Sequence, residues 1–190
     1  SVFPAPPTYF LTTPISFVRD FDAVKPLQNH TDLSITTAIT TARISTTYFD
    51  GLGRPVQNVL KKGSLTTDSD NPKSASKAVD MIDMTFYDEM GRERFKYLPS
   101  PAQITSTTPI VNDGKFKLDP FQQQQSFYNI YLETQDEVTT GTNWAYSKTN
   151  FEVSPLSRTV ETFAPGISWV GSEYDDNVTQ KKSFSSFQWA

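Results

Sequence analysis

The chain has 190 residues, a formal net charge of -4 and a sequence pI near 5.0, and its only adjacent basic pairs are Lys61-Lys62 and Lys181-Lys182. A basic stripe for nucleic acid is missing, no apolar run is long enough for a membrane-crossing helix, and the lack of cysteine excludes disulfides, thiol catalysis and thiolate-bound metals. Its 14 Phe, 8 Tyr and 3 Trp, set among many threonines, suit a β core built from rings and β-branched side chains.

The opening Ser1-Val2-Phe3-Pro4-Ala5-Pro6-Pro7 predicts extended chain. Residues 8–18 alternate enough for one or two short strands broken at Pro14, and 19–32 are polar and loop-like. Residues 34–49, rich in Thr and Ile without Gly or Pro, predict one long strand. Asp50-Gly51-Leu52-Gly53 turns it back into a partner over 55–61. Residues 63–77 predict an exposed loop. Residues 79–87 and 92–98 form a second predicted hairpin around Asp88-Glu89-Met90-Gly91. After a loop over 99–112, Asp119-Pro120 has the form of a helix cap followed by proline at the first helical position. Phe121, Gln124, Tyr128, Tyr131 and Leu132 share a face at 3.6-residue spacing, which predicts a helix over 120–132. The run Gln122–Gln125 then reads as a solvated face. Residues 146–153 and 158–163 predict strands, and 183–189 predict a last one with an unpaired edge. The expected fold is mainly β: hairpins in a curled, strongly twisted sheet, with one short helix packed on or capping it. Its expected parts are an extended segment over 1–33, a β domain over 34–170 and the start of a following strand or module over 171–190.

Two stretches say nearly the same thing. Tyr48-Phe49-Asp50-Gly51-Leu52-Gly53-Arg54 is echoed by Phe86-Tyr87-Asp88-Glu89-Met90-Gly91-Arg92. Glycine at Gly53 and Gly91 suits a positive-φ position closing a turn. An Asp at the start of a turn accepts backbone N–H bonds, and the planar fork of the following Arg can reach that carboxylate. The preceding aromatic, Phe49 or Tyr87, can pack on an adjacent strand. Phe151-Glu152-Val153-Ser154-Pro155-Leu156-Ser157-Arg158 has the shape of a third copy, two residues longer, with Glu for Asp and Ser for Gly. Phe49, Asp50, Gly53, Arg54, Tyr87, Asp88, Gly91 and Arg92 are therefore expected to fasten turns rather than to react.

This pattern resembles the YD repeats of Rhs proteins, bacterial relatives of the teneurin and toxin-complex shells. The ordered series of the two turns, Tyr97-Leu98-Pro99, the third copy, Ala164-Pro165-Gly166 and Trp169 is similar to an uncharacterised domain at the front of large Rhs-repeat proteins of the Bacteroidota. The resemblance covers about 9–169. It implies a β sheet spiralling into a hollow shell that often encloses a C-terminal toxin or effector. It also implies secretion or display at the cell surface. The implied partners are a downstream Rhs-repeat region of the same polypeptide or a companion protein, with contact to secretion machinery. The autoproteolytic motif of the C-terminal core is absent from this chain.

Candidate reactive groups are sparse. His30 stands in a polar loop with no Gly-x-Ser-x-Gly elbow, so a nucleophilic triad lacks its setting. Asp136/Glu137 and Asp175/Asp176 are neighbours in polar segments, not two acids opposed across a cleft. Asp68-Ser69-Asp70-Asn71 begins like a calcium loop, but Pro72 falls on the third ligand position and no Glu closes it. No catalytic residue, metal or cofactor is expected. Trp144, Tyr146 and Trp169 are candidate rings for stacking on a sugar, against the commoner role of large rings in a core. The expected function is a non-catalytic structural module that starts or plugs a β shell. An adhesion or carbohydrate-binding surface module is the alternative, and a hydrolase ranks last.

Overall fold

The computed structural model describes residues 9–10, 15–64, 78–131, 144–166, 169–173 and 183–185. In chain order its strands are β1 (Ser16–Ala23), β2 (Ala42–Phe49), β3 (Pro55–Ser64), β4 (Val79–Met84), β5 (Phe95–Tyr97), β6 (Ser100–Pro101), β7 (Tyr146–Phe151), β8 (Thr159–Phe163) and β9 (Phe184–Ser185). One α-helix, α1, spans Pro120–Tyr131. The protein is mainly β, as its threonines and rings predict, with two antiparallel sheets. It divides into two units that alternate along the chain. One holds Pro6–Met84 and Pro99–Gln124, the other Thr85–Leu98 and Gln125–Ala190.

The first unit carries a five-stranded sheet in the order β1-β2-β3-β4-β6. Period-two alternation sends Ala42, Ile44, Thr46 and Tyr48 of β2 to one face with Gln57 and Val59 of β3 and Asp80, Ile82 and Met84 of β4, all buried. The register places Val59 between Thr46 and Ile82, so the centre of that face is continuous. Each fully buried Val, Ile or Met there stabilises the fold by about 1.5–3 kcal/mol. Rings extend the face towards the edge: Phe17 lies 5.8 Å from Tyr48, and Phe116 packs on Tyr48 at 5.1 Å and on Tyr9 at 4.9 Å.

Two expectations for this unit are corrected. The predicted long strand over 34–49 begins only at Ala42, because the hydroxyls before it satisfy local backbone instead. The Thr37 hydroxyl accepts the Ser34 N–H at 2.9 Å, the Ser34 hydroxyl accepts the Thr36 N–H at 3.3 Å, and the Ser34 carbonyl accepts the Thr37 N–H at 3.0 Å. Such bonds compete with a sheet ladder. Conversely, 19–23 are strand rather than loop. Arg19 and Phe21 pair with Thr46 and Ile44, and the Arg19 Nε donates to the Thr46 hydroxyl at 3.0 Å. Of the predicted loop over 63–77, Gly63 and Ser64 close β3, and 65–77 lie outside the described residues.

The second unit carries a four-stranded sheet in the order β5-β7-β8-β9. Phe95, Tyr146, Phe163 and Val170 form its core, with Tyr97 and Trp144 packed against it. The second predicted hairpin is corrected here. Its arms run into different sheets: β4 pairs with β3 and β6, whereas β5 pairs with β7. Only the Thr85–Lys96 bridge joins the two sides of the turn as a strand contact among the described residues. β9 lies at the edge of this sheet, and the rest of that predicted strand lies outside the described residues.

Helix α1 starts at the predicted proline. Phe121 and Gln124 are buried on the expected face, and of the glutamine run only Gln122 and Gln125 are solvated. Gln123 and Gln124 are both 0% exposed. Gln123 is used at both ends of its amide: Nε2 donates to the Asp119 carboxylate at 2.6 Å, and Oε1 accepts the Gln103 N–H at 3.0 Å. A buried amide with both ends bonded carries no desolvation deficit.

Candidate functional site

The repeated stretches fold into turns of one design. Asp50 Oδ1 accepts the N–H groups of Leu52 and Arg54, both at 2.9 Å. Its Oδ2 accepts the Arg54 fork, from Nε at 2.8 Å and from the terminal nitrogen at 2.8 Å. Asp88 repeats this with Met90 at 3.0 Å, Arg92 N–H at 2.9 Å and the Arg92 fork at 2.9 and 2.8 Å. Each turn is closed by a pair of main-chain bonds, Asp50–Arg54 with Gly53–Asp50 and Asp88–Arg92 with Gly91–Asp88. Gly53 and Gly91 both have φ of 75°, the left-handed region that a side chain resists. Two guanidinium nitrogens closing on one carboxylate oxygen give the turn direction as well as charge.

The third copy keeps the plan with other parts. Glu152 Oε1 accepts the Ser154 hydroxyl at 2.6 Å, the Arg158 N–H at 3.3 Å and Arg158 Nε at 3.1 Å. Ser157 stands where the glycine stood and keeps the left-handed backbone at φ 47°. Arg92 reaches this third turn as well: it donates to the Ser157 hydroxyl at 3.1 Å and its guanidinium lies 4.8 Å from the Phe151 ring centre. The second clasp therefore holds its own turn and braces the next one.

These contacts set the acidity of the clasps. The backbone N–H of Arg54 holds the Asp50 carboxyl below its ordinary value, with the Arg54 side chain and the Leu52 N–H adding to it against burial. Burial pushes the Asp88 carboxyl up, but the Arg92 N–H and fork outweigh it and the net direction is down. The Ser154 hydroxyl, then Arg158, lower Glu152. All three are therefore poised to stay ionised, which suits a fastener.

The three candidate stacking rings have other neighbours. Tyr146 is 4% exposed in the core of its sheet, Trp144 packs against that core, and Trp169 stacks on Phe184 with centroids 5.0 Å apart and planes 18° from parallel. His30 is exposed in a single 3-10 turn, His30–Asp32. Asp68, Asp136, Glu137, Asp175 and Asp176 lie outside the described residues.

Residues 22–184 match the family model described as Domain of unknown function (DUF6443). The chain belongs to this family. No curated protein and no solved structure matches it.

The DUF6443 domain also holds a polar cluster whose members Asp80 and Lys117 are far apart in sequence. Lys117, 1% exposed, puts its ammonium 2.8 Å from Asp80 Oδ2, 2.7 Å from Asp113 Oδ1 and 3.2 Å from the Ile110 carbonyl. Asp80 Oδ1 accepts the Lys62 N–H at 2.9 Å, and Oδ2 accepts the Gly114 N–H at 2.8 Å. A bulge in β3 makes the first of these bonds: the register jumps between Leu60 and Ser64, so 61–63 face Asp80 alone. Gln57 grips the Lys117 backbone from both sides, donating to its carbonyl at 3.0 Å and accepting its N–H at 2.8 Å. Burial pushes the Asp113 carboxyl up, but the Lys117 ammonium and Lys115 N–H bonds win and hold it low. A signal for this cluster was present, since Gln57 and Asp80 fall in phase with Val59, Ile82 and Met84 on the core face. Lys117, in Phe116-Lys117-Leu118, carried none.

Beside that cluster the DUF6443 domain has a groove of about 510 Å³, walled by Phe10, Phe17, Tyr48, Phe116 and Ile110, with Arg19 at its side. Its size falls in the range of small-ligand pockets, roughly 300–1,000 Å³. Phe10, Phe17 and Ile110 are exposed.

Proposed function

We propose that this DUF6443 domain is a non-catalytic structural module of a large Rhs-type protein, secreted or displayed at the cell surface, where it starts or plugs a β shell. One observation carries the reading: a single turn design is used three times, and the second clasp braces the third turn through Ser157 and Phe151. Copies that support their neighbours are how repeat scaffolds gain stability. The clasps are ionised and engaged, so they serve architecture. The partner is the downstream repeat region, meeting this module at an edge strand. The test is the gene and its product. Sequencing through the locus should find the reading frame continuing into further aromatic-Asp-x-x-Gly-Arg copies, and protease shaving of intact cells should remove the product. A frame without further copies, or a product protected inside the cell, overturns the reading.

Recognition of a surface ligand, in adhesion or carbohydrate binding, is the second reading. The groove walled by Phe17, Tyr48 and Phe116 favours it. A hit on a broad glycan array that is lost with Phe17→Ala would promote it over the first, and silence across the array would remove it.

A further inference from the structure

The Lys117, Asp80 and Asp113 cluster is built for more than an ion pair. Lys117 and Asp80 side chains are 1% and 0% exposed, and Asp113 is 25% exposed. A buried pair of this kind adds little stability over apolar residues of the same volume. Three features together suit a reaction. The Lys117 nitrogen is already in contact with the Asp80 carboxyl, at 2.8 Å. Both oxygens of that carboxyl are held by main-chain donors, Lys62 N–H on Oδ1 and Gly114 N–H on Oδ2, where a tetrahedral oxyanion would gain most from them. A second carboxylate, Asp113, lies 2.7 Å from the same nitrogen, within reach for proton transfer.

We propose that Lys117 and Asp80 become joined by an intramolecular amide bond, with Asp113 as the proton carrier. A proton passes from Nζ to the Asp80 carboxylate, leaving a free amine beside a carboxylic acid. The nitrogen lone pair forms a bond to Asp80 Cγ, and the electron pair of the C=O moves to oxygen, which the Lys62 and Gly114 N–H groups stabilise. Asp113 takes one proton from the nitrogen. The C=O re-forms, the Cγ–OH bond breaks, and the departing hydroxide takes that proton from Asp113 and leaves as water. One ammonium and one carboxylate become one amide and one water, and Asp113 ends as it began. The link ties the segment carrying Gln57-bound Lys117 to β4 in a chain that has no cysteine for a disulfide.

The experiment is mass spectrometry of the purified full chain under denaturing conditions, with peptide mapping. The expected result is a chain lighter by one water molecule and a branched tryptic peptide joining Asp80 to Lys117, with no cleavage after Lys117. Lys117→Met and Asp80→Ala should restore the full mass, and Asp113→Asn should leave most of the chain unlinked. An Asp-Gly sequence such as Asp113-Gly114 can also lose water by closing a succinimide. A missing water that maps there, or to Asp50-Gly51, overturns the proposal, and so does a wild-type chain of full mass. The wild-type map decides even if a variant fails to fold.

Discussion

Gly51 and Gly53 stand two residues apart in the same turn, and a Cβ added to either would meet nothing within 4 Å. They differ in backbone: Gly53 has φ of 75°, and Gly51 is outside the left-handed region. Alanine at either position removes roughly the same chain entropy from the unfolded state, which by itself stabilises by about 0.4–1 kcal/mol. At Gly53 an L-residue also bears the left-handed cost of about 1–2 kcal/mol. Gly51→Ala should therefore be neutral to slightly stabilising, and Gly53→Ala destabilising by about 0.5–1.5 kcal/mol. The entropy contribution cancels in the comparison, so the gap of about 1–2 kcal/mol isolates the backbone. Urea unfolding followed by tryptophan fluorescence reads this directly. With a slope of about 2 kcal/mol per molar urea, the two midpoints should differ by roughly 0.5–1 M. Gly91→Ala, at the same φ, should fall with Gly53→Ala. Equal midpoints for the Gly51 and Gly53 variants would refute the turn geometry.

Gln57→Ala should cost about 2–3 kcal/mol, because it strands the buried N–H and C=O of Lys117; a loss under 1 kcal/mol in the same urea assay would show that those groups find other partners. Acid should weaken the fold. Asp50, Asp88, Asp113, Asp119 and Glu152 all bind protons less readily folded than free, so their contribution is present above the ordinary carboxylate values of 3.8 and 4.5 and is lost as pH falls through the lowered ones. The urea midpoint should be lower at pH 3 than at pH 6, with a smaller drop in Asp88→Asn; a midpoint that rises on acidification would contradict the sign.

What the sequence disclosed and what it hid separate along one physical line. The Asp50 and Asp88 clasps were legible because all their chemistry lies within five residues: an acceptor, a glycine and a fork whose partners are fixed by chain connectivity. Helix α1 was legible for the same reason, since Asp119 and Pro120 are local signals. The turns before Ala42 were misjudged although their bonds are local, because Ser and Thr serve strand and turn equally, and only the hydroxyl bonds of Ser34 and Thr37 decide. Asp80 and Lys117 meet through folding alone, and a polar residue on a core face announces a need without naming its partner. The parting of β4 and β5 had no local mark, because the Asp88 turn is built like the Asp50 turn that joins two strands of one sheet.

The third turn explains how a repeat survives the loss of its glycine. Ser157 holds a left-handed backbone that costs about 1–2 kcal/mol, and its hydroxyl accepts a bond from Arg92. Such a bond contributes about 0.5–1.5 kcal/mol, and the Arg92 guanidinium over Phe151 adds about 0.5–1 kcal/mol. The strain of the degenerate copy is thus offset by its predecessor. Arg92→Lys keeps the charge but loses the fork on Asp88 and the reach to the third turn, and should cost about 1–2 kcal/mol. Ser157→Gly relieves the strain, loosens the unfolded chain and gives up the Arg92 bond, so alone it should be close to neutral. In the Arg92→Lys background that bond is already gone, and Ser157→Gly should then stabilise by about 0.5–1 kcal/mol. The double-mutant cycle should return a coupling of about 1 kcal/mol between residues in neighbouring copies. Strict additivity would mean that each turn stands alone, and the mutual support that makes these copies a scaffold would have no energetic basis.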